Sequence, residues 1–199
     1  MKIAIGDSAN HTPLNIYERV IKENGIKDRR FRIEHAQHLS QNDIKRFKEL
    51  GVIASMQPYH AIDDGRWAEN YIGAERIKTT YAFNSLLKSN AMLCFGSDWA
   101  VAPASPIQGI YAAVTRRTLD NKNPKGWVPE QKITVEQALN AYTKNAAFAS
   151  FEENIKGTLE VGKYADFVVL SENILKVESN QIKDIQVLQT FVGGKEVFK

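Results

Sequence analysis

Four short polar clusters hold the side chains able to do chemistry in this chain. They are Gly6-Asp7-Ser8, Glu34-His35, Gln57-Pro58-Tyr59-His60 and Gly96-Ser97-Asp98-Trp99. Imidazoles and carboxylates together make a donor set suited to a divalent metal, with zinc as the default ion. Asp98 stands out among them. It follows the apolar run Ala91-Met92-Leu93-Cys94-Phe95, and a carboxylate buried there without a partner carries a heavy desolvation cost. A metal or another cation is its natural partner. His35 reads either as a ligand or as a satisfied core histidine, and Asp7 either as chemistry or as a turn or helix cap. His60 shares its segment with Asp63, Asp64 and Arg66, where solvation competes with substrate contact. His11 and His38 read as surface or capping residues.

The elements that must position these groups alternate in type. Short apolar segments at residues 3–5, 31–34, 52–56 and 92–95 have no period-two alternation, as in strands covered on both faces. Helical spacing predicts helices opening near residues 10–13 and running to 24, then over 41–50, 79–89, 107–118 and 134–151. Gly25 and Gly51 stop the first two, and Ser40 caps the second with Asp43 as a weak capping-box partner. Residues 57–76 read as a long polar loop. Strands alternating with helices imply a parallel sheet with crossover connections. In such architectures the C-terminal strand ends share one face, and that face carries the active site. All four polar clusters fall there.

After residue 154 the pattern changes to β-rich runs at 164–170 and 186–192, with Gly193-Gly194 turning into 195–198, a hairpin signal. The chain therefore divides into an α/β body, residues 1–154, and a small β unit, residues 155–199. A length of 199 residues with 43% apolar and 25% charged content is ordinary for a globular chain. A net charge of +3 with mixed signs argues against a nucleic-acid or membrane surface. The single cysteine, Cys94, excludes an internal disulfide framework and fits a reducing, cytoplasmic compartment. No apolar run approaches the ~18 residues of a membrane span.

Several of these segments carry a family resemblance. Arg32-Ile33-Glu34-His35-Ala36-Gln37, Ser55-Met56-Gln57-Pro58-Tyr59-His60 and Phe95-Gly96-Ser97-Asp98-Trp99 together resemble the amidohydrolase superfamily. The nearest branch is the one that includes N-substituted formamide deformylases. Residues 141–147 and 157–166 fit the same branch in the same order. Ile3-Ala4-Ile5-Gly6-Asp7 resembles a fifth barrel strand that typically reads His-Ala-Ile-Gly-Asp. The resemblance thus implies strands five to eight of a metal-dependent-hydrolase TIM barrel, its C-terminal half, followed by part of a flanking β-sandwich.

It also implies a chemistry: hydrolysis of a non-peptide C–N bond, of amide or formamide type, in a small-molecule substrate. His35 would be a metal ligand, and Asp98 both a ligand and the proton shuttle. Gln57, His60 and Trp99 would line the substrate pocket. Ile3 stands where the family has a histidine, and no His-x-His occurs, so only two ligands can be named. A catalytic zinc site commonly uses three. Metal binding and catalysis by this chain alone are therefore expected to be impaired or absent. Half a barrel would leave two open sheet edges that invite pairing, with a second copy or an N-terminal half as partner. The alternatives are half of a split enzyme and a non-catalytic interaction or regulatory protein built on the half-barrel.

Overall fold

The computed structural model describes residues 1–199, and the two parts of the chain form two sheets. The first sheet contains β1 (Lys2–Ala4), β2 (Arg32–His35), β3 (Ile53–Met56) and β4 (Leu93–Phe95), all parallel and in sequence order. The crossovers carry α1 (Asp7–Asn24), α2 (Gln41–Glu49), α3 (Pro58–Asp64), α4 (Ala68–Arg76) and α5 (Phe83–Lys88). Then come α6 (Pro106–Thr115), α7 (Val135–Tyr142) and α8 (Lys144–Ala149). The second sheet is antiparallel, with β5 (Phe167–Leu170), β6 (Val187–Val192) and β7 (Lys195–Phe198). Gly193-Gly194 forms the predicted hairpin turn, both residues at positive φ. Ile174, Ile182 and Ile185 from the β5–β6 connection join the same apolar core as Ile33, Phe47, Met56 and Leu93. Burying each such side chain contributes about 1.5–3 kcal/mol.

Strand positions agree with the sequence expectation to within a residue or so, except that β5 begins at Phe167 and not at 164. Several helices do not agree with it. The segment read as a polar loop over 57–76 forms α3 and α4. Pro58 sits at the start of α3 and buries with Ala61 and Ile62, the i, i+3, i+4 spacing of one helix face. The first helix opens at Asp7, earlier than expected, because Asn10 Nδ2 reaches the carbonyls of Ile5, Gly6 and His38. In the predicted 79–89 helix, Thr80 instead pairs with His38, and Tyr81 adopts φ 49°. Only Phe83–Lys88 remains α-helical, while Thr79 ends a 3-10 turn.

The expected 107–118 helix stops at Arg116, left-handed at φ 50°. Its fully buried guanidinium donates to the carbonyls of Trp127, Tyr81 and Thr80. The expected 134–151 helix has the capping box of Thr134 and Gln137, yet it breaks at Thr143 (φ −119°, ψ −86°). The break lets Asn145 Nδ2 donate to Leu93 O at 2.8 Å, which covers the outer edge of β4. One sheet edge expected to be open is therefore capped. At the other edge the expectation of strands buried on both faces fails: Ile3 in β1 is 68% exposed.

Candidate metal centre

Strand register brings the polar clusters to one rim. Ala4 pairs with His35, Glu34 with Ser55 and Met56 with Phe95, so the four strands end nearly flush. His35 is the last residue of β2 and has φ 68°, followed by Ala36 at φ 46°. Two successive non-glycine residues in the left-handed region are costly, and such strain gathers at functional sites. His60 follows β3 and lies in the first turn of α3, where Pro58 has fixed the helix start. Asp98 follows β4 in a loop, also left-handed at φ 59°. Ser97 Oγ donates to Ala104 O across that loop.

These three residues converge. One ligand atom from each of His35, His60 and Asp98 lies within 4.8 Å of the other two. His60 Nε2 is 3.1 Å from Asp98 Oδ2, and the two imidazole centroids are 6.1 Å apart. The His60 side chain is mostly shielded, whereas that of Asp98 is 32% exposed, so the cluster faces outward on one side. Two imidazoles and a carboxylate match the composition of catalytic zinc sites, which use three protein ligands and leave one position open. By donor chemistry the set fits a divalent cation.

The remaining candidates fall elsewhere. Gln57 is buried at the N-cap of α3, and its Oε1 has no hydrogen-bond partner. Trp99 is 75% exposed on the Asp98 loop. Asp7 is the first residue of α1, accepts from Ser8 N at 2.7 Å, and lies outside the donor cluster. His11 pairs with the buried Asp43 on the outer surface. His38, expected at the surface, is half-buried with Nδ1 2.8 Å from Thr80 Oγ1, and burial pushes its pKa down. Sequence reasoning placed His60 among pocket-lining residues, not donors. The missed signal was Pro58: a helix opening there brings His60 up against the β4 rim.

Residues 3–198 match the Amidohydrolase family. The chain belongs to that family. It is 45% identical over 196 residues to the protein LONG AFTER FAR-RED 3 of Arabidopsis thaliana, covering 98% of this chain and 33% of that protein. It is 28% identical over 192 residues to the N-substituted formamide deformylase of Arthrobacter pascens, covering 96% of this chain and 34% of the enzyme. Among solved structures, a metal-dependent hydrolase from Pyrococcus horikoshii OT3, described as uncharacterized, superposes with a TM-score of 0.74 at 32% identity. That match covers 89% of this amidohydrolase-family chain and 35% of the archaeal one. The chain spans about a third of the length of the curated relatives it matches.

Proposed function

We infer that the chain carries the metal centre of a hydrolase acting on non-peptide carbon–nitrogen bonds, of amide or formamide type. The observation that carries this reading is the convergence of His35, His60 and Asp98 from three adjacent strand ends. The likeness to an N-substituted formamide deformylase supports the bond class. His35, His60 and Asp98 would hold a divalent cation, zinc by donor type. Such an ion acidifies water and polarises a carbonyl. Asp98 would also carry the proton, since its carboxylate can take one up at a single oxygen and deliver it to the leaving nitrogen. His60 Nε2 and Asp98 Oδ2, 3.1 Å apart, would stand as neighbouring donors to that divalent ion. Trp99 would form the outer wall for a small substrate, with Gln57 supporting the rim from beneath.

The reading further treats residues 1–154 as strands five to eight of the family barrel and 155–199 as part of its β-sandwich. On that basis further barrel strands beside β1 would complete the wall of the site, and turnover would depend on them. A non-catalytic interaction protein is the second reading, favoured by the exposed Ile3 on the free β1 edge. Zinc titration of the purified chain against a chromophoric chelator tests the first reading. One tightly bound equivalent is expected, lost in both His35→Ala and Asp98→Ala. A stoichiometry indifferent to both substitutions would sink the metal-centre assignment. No zinc uptake, together with partner binding that survives both changes, would support the second reading.

A further inference from the structure

Asp64 lies outside the donor cluster, yet it links the elements that deliver two of its members. It is the last residue of α3 and stands four positions after His60, on the same face of the helix. Its Oδ2 accepts from Gln37 Nε2 at 2.7 Å and from Tyr81 OH at 2.5 Å. Gln37 follows His35 by two residues, immediately after the left-handed pair His35-Ala36. Tyr81 closes the loop from the other side: its backbone N–H donates to Gln37 O at 2.7 Å. Both Gln37 and Tyr81 are buried. A single carboxylate oxygen therefore ties the helix carrying His60 to the strained turn that aims His35.

We propose that Asp64 is a positioning residue, which holds the His35 turn and the His60 helix in register so that the two imidazoles meet at one point. The inference rests on the metal-centre reading for its consequence, but not for its geometry. Two features favour positioning over a general structural role. The α3 helix is seven residues long, too short to be stable by itself, so its placement depends on tertiary ties. The turn at His35-Ala36 sits in a disfavoured backbone region, and such a conformation persists only when neighbours over-determine it. Metal sites lose affinity when the shell behind their ligands is loosened, commonly by about 10–100-fold.

Two measurements on the full chain test this. In the first, zinc affinity by chelator competition is compared among wild type, Asp64→Ala, Asp64→Asn and Asp43→Ala. Asp43 anchors a comparable buried network with His11, Ser40 and Arg46 on the outer face, so its loss controls for destabilisation. Asp64→Ala is expected to weaken zinc binding about tenfold. Asp64→Asn, which keeps an acceptor oxygen, should restore most of it, and Asp43→Ala should stay near wild type. The second measurement needs no metal: ¹⁵N-imidazole spectra of the metal-free chain. Asp64→Ala should shift and broaden the His35 and His60 signals together, while Asp43→Ala moves His11 alone. If the wild type binds no zinc, the metal-centre reading fails and the imidazole spectra still decide the role of Asp64. Unmoved His35 and His60 signals in Asp64→Ala, or an equal zinc loss in Asp43→Ala, would overturn it.

Discussion

At the scale of single residues, the most informative contact outside the site joins the start of β2 to the chain beyond α8. Arg30 lies between the rings of Phe148 and Phe151, 3.8 and 4.0 Å from their centroids. It also makes a two-pronged ion pair with Glu153, at 2.8 and 2.6 Å. The Arg30 hydrogen bonds are the main reason that the Glu153 carboxyl is held down to about 2, from its usual 4.5. A carboxyl whose pKa falls on folding stabilises the protein above its unfolded-state value and loses that contribution as pH drops through the folded value. Wild type should therefore exceed Glu153→Gln in thermal midpoint at neutral pH, with the gap closing between about pH 4.5 and 2. A constant gap across an acid series of melting curves would refute the assignment. No sequence pattern reveals this pair, because its members lie 123 residues apart. His35 and Asp98 were legible for the opposite reason: each sits at the end of an apolar strand, where topology alone fixes the rim. The fully buried Arg116 was not, since long-range carbonyls and the Trp127 and Phe83 rings accommodate it.

At the scale of elements, local chemistry was readable and tertiary demand was not. Ser40 accepts from Asp43 N, and Thr134 and Gln137 form the reciprocal box, as their spacing announces. The Gly193-Gly194 turn is equally local. The break at Thr143 has no such signal, for residues 134–151 retain helical composition throughout. Packing supplies the reason: a continuous helix would not present Asn145 to Leu93 O, and β4 would keep an orphaned carbonyl in a buried strand. Asn145→Ala should therefore cost about 1–3 kcal/mol in urea unfolding, the penalty of a buried acceptor left without a donor. Asn140→Ala, at an exposed position of α7, should stay within about 0.5 kcal/mol. Equal effects at the two positions would mean that the break in the helix is not held by the Asn145 bond. Because β4 leads into Asp98, the same substitution should also weaken zinc binding, in proportion to how far the strand end moves.

At the scale of the whole molecule, the two edges of the parallel sheet are managed differently. The β4 edge meets α7 and α8, and Ile53, Cys94 and Ala149 pack in a small cluster beside it. The β1 edge has no comparable cover. Met1, Ile3, Ile5 and Ile16 are all exposed there, and Ile3 and Ile16 line one shallow groove with Pro13. Unpaired strand groups beside exposed aliphatic side chains favour strand pairing with another chain, and natural edges avoid this with charge, which only Lys2 provides. A protein left with this edge should self-associate as its concentration rises. Sedimentation velocity from micromolar toward millimolar concentration should show the transition, and Ile3→Lys should suppress it by placing a charge on the edge. Since Ile3 is largely exposed, the substitution should leave the unfolding midpoint nearly unchanged, which separates loss of pairing from loss of fold. A wild-type chain that stays monomeric throughout would mean that the β1 edge is protected by its own short length, and that no second chain is needed to cover it.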